Sequence, residues 1–191
     1  MSRLKFEIEL ELKDKDGKVL EKRRFPMHTY VYPGIVLFNA HLSWRDMSIT
    51  KIDGSSGTTY LNTGGSNANF TVGASYGDTT RGIVIGTSDT AYSPTQNKLQ
   101  NIINHGSGVG QMLYGIVSID APVQITNGYR FVFSRVFTNS SGASITVKEI
   151  GIYLYVYNVG TIMFARDVIT PVTVANGQSL TVRYIVSLTY S

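Results

Sequence analysis

Apolar and polar residues alternate strictly at the start of the chain. Phe6, Ile8, Leu10 and Leu12 fall on one face of an extended backbone, and Lys5, Glu7, Glu9 and Glu11 on the other. Asp14-Lys15-Asp16-Gly17 supplies turn chemistry and a second strand follows at Lys18 to Phe25, so the first 25 residues predict a β-hairpin. An isolated hairpin is marginal in water, so this one must lie on the rest of the domain or on a neighbouring subunit. It is assigned as an N-terminal arm over residues 1–32, ahead of a single β-sandwich domain over 33–191. The pattern changes after Pro33-Gly34, where Ile35, Leu37, Phe38 and Leu42 recur at helical spacing and predict an amphipathic helix near 35–46. A short strand at 48–52 and a turn cluster at 53–57 come next. From 62 to 80 Gly, Ser, Asn and Thr dominate, which predicts a long surface loop.

Arg81 to Gly86 reads as a short buried strand. Ser93 at N-cap and Pro94 at N1 then predict a second short helix over Asn97 to Ile103. After the glycine-rich break at 105–110, runs rich in β-branched and aromatic residues occupy 112–119, 129–138, 144–157, 161–168 and 179–190. Asn127-Gly128, Asn139 to Gly142, Asn158 to Gly160 and Asn176-Gly177 separate them. Such spacing predicts a mainly β protein, an antiparallel β-sandwich of jelly-roll or Greek-key-like type. No repeat of solenoid or propeller length is present.

Two strands carry a further signal. Ile152, Leu154 and Val156 share one face, while Tyr153, Tyr155 and Tyr157 share the other. Tyrosine joins a large apolar body to a polar tip and is enriched in protein interfaces. The stripe is therefore either an intersubunit contact or is covered by the arm or the glycine-rich loop. The final strand places Tyr184 and Tyr190 with Leu180, Val182, Val186 and Leu188 on one side, and invites pairing with another chain unless it sits centrally. The candidate interface is accordingly Tyr153, Tyr155, Tyr157, Tyr184 and Tyr190, with Phe6, Ile8 and Leu10 of the hairpin. Gly151 marks a bulge or a close backbone approach, and Lys148 and Glu149 beside it read as ordinary solvated charges.

Composition narrows the chemistry. The chain has no cysteine, which excludes disulfides, thiolate metal sites and cysteine nucleophiles and fits synthesis in a reducing compartment. His28, His41 and His105 lack the spacing of metal ligands, and the acids are too dispersed to pair as a catalytic site, so no cofactor, metal or enzymatic activity is expected. Gly106-Ser107-Gly108-Val109-Gly110 has neither the nucleophile-elbow nor the phosphate-loop register. Charged residues make up only 16% of the chain, against about 25% in typical soluble domains, which is the composition of a chain that hides surface against partners. The net charge of +4 is scattered: residues 1–25 hold eight Lys/Arg and six Asp/Glu, and residues 121–191 hold five and two. Phosphate binding needs clustered cations, so direct nucleic-acid binding is not expected. No apolar run is long enough for a signal peptide or a membrane span, which predicts a soluble protein.

Three segments carry a resemblance. Gly82 to Thr87, Ser93 to Leu99, and Ala143 to Tyr153, followed by a closing run from Phe164 to Val174 and from Asn176 to Tyr184, are similar to structural proteins of tailed bacteriophages. The resemblance covers about residues 80–190 and rests on the order and character of the segments. It implies a non-enzymatic virion component, made in the host cytoplasm and assembled in multiple copies with itself and other virion proteins on the capsid, the head–tail junction or the tail. The alternative it leaves open is a tail-fibre or receptor-binding module that recognises a host surface through the loops at 62–80 and 105–110.

Overall fold

The N-terminal hairpin is an integral part of the main sheet. In a computed structural model that describes residues 3–43, 46–59 and 70–190, apart from the side chain of Phe38, strands β1 (Arg3–Lys13) and β2 (Val19–Pro26) form the expected hairpin. The Asp14 carboxylate closes its turn by accepting the backbone N–H groups of Asp16 and Lys18 at 3.0 and 2.9 Å. In chain order there follow α1 (Tyr32–Ser43), β3 (Met47–Thr50), β4 (Ser56–Thr59), β5 (Phe70–Thr71), β6 (Gly82–Gly86) and β7 (Leu113–Ile119). β8 (Val123–Ile125), β9 (Gly128–Thr138), β10 (Ile145–Val156), β11 (Gly160–Val174) and β12 (Ser179–Thr189) complete the chain.

Among the described residues the strands form an antiparallel, mainly β sandwich. One sheet runs β2-β1-β12-β9-β7 with β8 beside β9, and the other runs β11-β10-β5 with β6 also on β10. The β10–β11 hairpin thus lies in the second sheet although its neighbours in sequence, β9 and β12, pair in the first. β1 pairs with β12 from Arg3↔Thr189 to Lys13↔Ser179, so the assignment of residues 1–32 as an arm is corrected. Its apolar face belongs to the same core as the rest, and that burial holds it down. The same pairing puts β12 between β1 and β9, so the last strand has no open edge. A continuous core joins Ile8, Leu10, Phe133, Phe137 and Val182 of the first sheet to Ile83, Ile85, Ile150, Ile152 and Ile162 of the second. Each such side chain contributes roughly 1.5–3 kcal/mol on burial.

Two helix expectations change. α1 begins at Tyr32, three residues before the expected start, because Pro33 in a first helical turn needs no N–H partner. Gly34 then lets the helix lie directly on β11, since a Cβ there would come within 2.6 Å of the Phe164 carbonyl oxygen. Positions 44 and 45 and the side chain of Phe38, all part of the expected helix, lie outside the described residues. The second helix is absent: residues 97–103 are irregular. Their backbone donors are drawn sideways, Leu99 N–H to the Tyr153 hydroxyl, Gln100 and Asn101 N–H to the Glu149 carboxylate, and Ile103 N–H to the Ile85 carbonyl. With those donors engaged, an i→i−4 ladder has nothing to close on.

Two other boundaries move. β11 continues past Val168 to Val174 through Pro171, which an edge strand tolerates because its outward N–H has no ladder partner. Residues 62–69 of the expected loop lie outside the described residues. Its remainder is fastened to β7, with Gly77 N–H on the Tyr114 carbonyl at 2.9 Å and Val117 N–H on the Ala74 carbonyl at 3.0 Å.

Candidate interaction surface

Most of the expected interface residues are occupied within the chain. Ile8, Leu10 and Tyr184 are core residues, Tyr184 stacked on Phe133 at 5.1 Å, and Phe6 packs partly buried against the same core. Tyr153 is buried, its hydroxyl accepting the Leu99 N–H at 2.8 Å, and burial pushes its pKa up to about 12. Tyr155 is half-buried beneath the Arg81 guanidinium, 4.2 Å from the ring centre. Tyr157 and Tyr190 remain exposed, at 49% and 52%. Among the described residues two of the three stripe tyrosines are therefore covered from within: Leu99 of the irregular segment from Ser88 to Ile103 caps Tyr153, and the side chain of Arg81 lies over Tyr155, while Tyr157 stays exposed. One signal was present in the sequence: Glu149 and Gly151 share the phase of the tyrosines, and a glycine in that row admits a close neighbour. A Cβ at 151 would stand 2.9 Å from Leu99 Cδ2.

The solvated reading of Glu149 is also corrected. Glu149 and Arg166 form an ion pair at 2.7 Å with both side chains fully buried. Glu149 accepts the backbone N–H groups of Gln100 and Asn101 at 3.2 and 2.8 Å. Arg166 donates to the Gln96 side-chain oxygen at 3.0 Å and to the Thr90 carbonyl at 2.9 Å. A charge pair in a dry interior is tolerated only when its remaining lone pairs and protons are satisfied, and here they are satisfied by the segment the pair holds down. Lys148, its neighbour at the β-bulge between Val147 and Glu149, reaches Asp89 of the same segment at 2.8 Å in an exposed pair.

Arg135 does the same work for the preceding loop. It is 1% exposed and donates to the carbonyls of Gly115, Arg81, Ile83 and Ser75 at 2.7, 3.0, 3.0 and 3.0 Å, and its guanidinium lies 4.8 Å from the Tyr114 ring centre. Burial lowers its pKa, while Tyr114 and Asp78 oppose that shift.

Asp167 sits on the core face of β11. Its Oδ1 accepts the His28 N–H at 2.9 Å and the Thr29 hydroxyl at 3.4 Å, with His28 Nδ1 at 3.5 Å. Its Oδ2 and the Tyr184 hydroxyl are buried without partners. Burial raises the Asp167 pKa above its ordinary value, against the hydrogen bonds from His28 and Thr29 that lower it. A carboxyl whose pKa is raised on folding stabilises the fold below its unfolded pKa, and that stability is lost as pH rises through the folded pKa. Asp167→Asn keeps the accepting oxygen and removes the charge. It is expected to raise the urea midpoint at neutral pH, with the gain disappearing below pH ~4, where the unfolded carboxyl is itself protonated. An equal effect at both pH values would contradict this account.

The outer face of the first sheet is a lattice of ion pairs. Glu7 meets Arg24 at 2.7 Å and Lys5 at 2.8 Å, Glu9 meets Lys22 and Arg183 at 3.2 Å, and Glu11 meets Lys13 at 3.0 Å and Arg183 at 3.2 Å. The Arg24 hydrogen bond holds the Glu7 carboxyl below the usual carboxylate range. These pairs neutralise the cations locally. No group of three or more His, Asp or Glu side chains placed to hold a metal ion occurs among the described residues, and no helix among them is long and apolar enough to cross a membrane.

One end of the sandwich is different. Leu4, Leu188 and Tyr129 stand opposite one another across β1, β12 and β9, and all three are about half exposed. Leu4 also lines a groove of about 260 Å³ with Phe6, Tyr30, Gly34, Ile35 and Phe164. Phe164 is shared with a second groove of about 260 Å³ formed with Leu37, His41 and Phe70. Between the two grooves rises α1, which carries no charged residue. Its buried face holds Val36, Leu37 and Ala40, yet Tyr32, Ile35 and Leu42 on the outside are exposed at 61%, 52% and 75%.

At a separate site the loop remnant and the 105–110 loop meet. The Tyr76 and His105 rings stand edge to face at 5.0 Å, and His105 Nδ1 accepts the Tyr114 N–H at 3.0 Å. The loop is braced by Gly106 N–H on the Met112 carbonyl and Gly108 N–H on the Gln111 side chain, and it presents Val109 at 86% exposure.

No protein-family model, curated protein or solved structure matches this chain.

Proposed function

We propose that this protein is a non-enzymatic structural component of a tailed-phage virion, assembled in multiple copies with itself and with other virion proteins on the capsid, the head–tail junction or the tail. The observation that carries this reading is the continuous apolar surface at the end of the sandwich bearing α1, on a chain whose buried Arg135 and Glu149–Arg166 pair are spent on fastening loops. Contiguous exposed apolar patches of this kind mark interaction sites. The segment order from residue 80 to 190 supports the phage assignment. Counting copies per particle by quantitative mass spectrometry tests it: a fixed multiple in purified virions is expected, and absence from the particle would overturn the reading.

A second reading, a receptor-binding module, is favoured by the braced 105–110 loop, which presents Val109 and where Tyr76 and His105 meet. Shortening the 105–110 loop would then abolish binding of the isolated protein to host cells or to a glycan array while leaving its fold and assembly intact.

A further inference from the structure

We propose that two copies of this chain pair about a two-fold axis running beside α1, the outer ridge of each helix seating in the apolar groove of the other. This deepens the multi-copy reading above by naming the contact.

The case begins with the helix. A surface helix of a globular protein turns apolar residues inward and polar ones outward, whereas a helix apolar all round is a buried one. α1 carries large apolar residues on both sides: Val36 and Ala40 are buried, while Tyr32, Ile35 and Leu42, at helical spacings of three and seven, point away from the core beside the smaller polar Asn39 and Ser43. Among the described residues these three side chains have no cover.

The surface also has the shape for self-association. The helix ridge is bordered on one side by the groove of Leu4, Phe6 and Phe164 and on the other by that of Leu37 and Phe70. Ridge and groove on one face are what ridges-into-grooves packing of two identical helices needs, and an isologous contact requires that single self-complementary patch. Electrostatics favours the same occupant. Near a two-fold axis every charge faces its own copy, so a chain with net charge +4 pairs most readily through a face without charge, and neither α1 nor the lining of either groove contains Lys, Arg, Asp or Glu.

Area agrees. The eight exposed side chains of this end (Leu4, Tyr129, Leu188 and Tyr190 from the sheet, with Tyr32, Ile35, Leu42 and Phe70) are each about half exposed or more. At roughly 100 Å² each they offer about 800 Å², the contribution of one partner to a standard interface, and more than the roughly 300–600 Å² of the largest patch on a typical monomer.

The test is sedimentation velocity of the full chain from low to high micromolar concentration, comparing wild type with Ile35→Glu, Leu42→Glu and the remote control Val109→Glu. Wild type and the control are expected to form a dimer. Ile35→Glu and Leu42→Glu should weaken it by at least about tenfold, equivalent to about 1.4 kcal/mol, with unchanged circular dichroism and urea midpoint. Because the chain has no cysteine, Ile35→Cys gives a second readout: oxidation should link two copies, and Val109→Cys should not. Association that survives both helix variants, or an oligomer of odd order, overturns this contact and leaves the multi-copy reading standing. A wild-type chain that stays monomeric throughout overturns the pairing, and the multi-copy reading falls with it only if the chain is also absent from purified virions. Binding of that monomer to phosphatidylglycerol vesicles, lost in Ile35→Glu, would identify a lipid surface as the occupant instead and would equally overturn the pairing.

Discussion

Replacing Arg166 with methionine is expected to cost about 3–5 kcal/mol, the penalty for stranding one member of a buried ion pair. Glu149 would keep two backbone N–H partners but lose its counter-ion at a fully buried position. For a domain whose total stability is on the order of 5–15 kcal/mol, that is a large share. The Gln96 and Thr90 contacts go with the guanidinium, so limited proteolysis should cut first between residues 88 and 103. A double-mutant cycle with Glu149→Gln should return a coupling above about 1 kcal/mol, since the two side chains share one network. Urea unfolding measures all of this, and additive effects would refute the account.

Arg135→Met should destabilise the fold by about 3 kcal/mol or more. Methionine retains much of the volume, so the cost isolates the polar part: four carbonyls lose their donor, each worth about 1–3 kcal/mol if left dry, less whatever water recovers. Arg135→Lys should recover only part, because one ammonium cannot reach Gly115, Arg81, Ile83 and Ser75 together. Hydrogen exchange should quicken at Gly77 and Val117, whose N–H groups are bonded to Tyr114 and Ala74. A change within about 0.5 kcal/mol, the range of an ordinary surface substitution, would show that Arg135 is not the fastening it is taken for.

These two arginines mark where sequence reading stops. Arg135 and Arg166 lie in largely apolar strands, several of their partners (Ser75, Arg81, Thr90 and Gln96) come from loops between residues 75 and 101, and their own positions carry no sign that those loops return. The candidate site divides in the same way. Tyr157 and Tyr190 are exposed. Tyr153 and Tyr184 are buried because strand alternation separates two faces without telling how many are covered. In β10 both are: one faces the opposite sheet and the other lies under residues 88–103. The apolar outer ridge of α1 escaped notice because an amphipathic reading of 35–46 expects one apolar side, and Tyr32 fell outside the expected helix.

By itself the sequence determined the local structure of this protein. Period-two alternation sets the hairpin and the long strands, Asn-Gly and Asp-Lys-Asp-Gly clusters set the turns, and the lack of cysteine removes thiol chemistry, because each of these depends on neighbours a few residues away. Only the tertiary structure decided that the hairpin lies within the main sheet, that β12 is central, that residues 97–103 are irregular, and that an apolar ridge with its grooves is left uncovered at one end. Those outcomes depend on which distant backbone donors and apolar faces meet, and hydrogen bonds between residues about 50 apart leave no periodic trace in the chain.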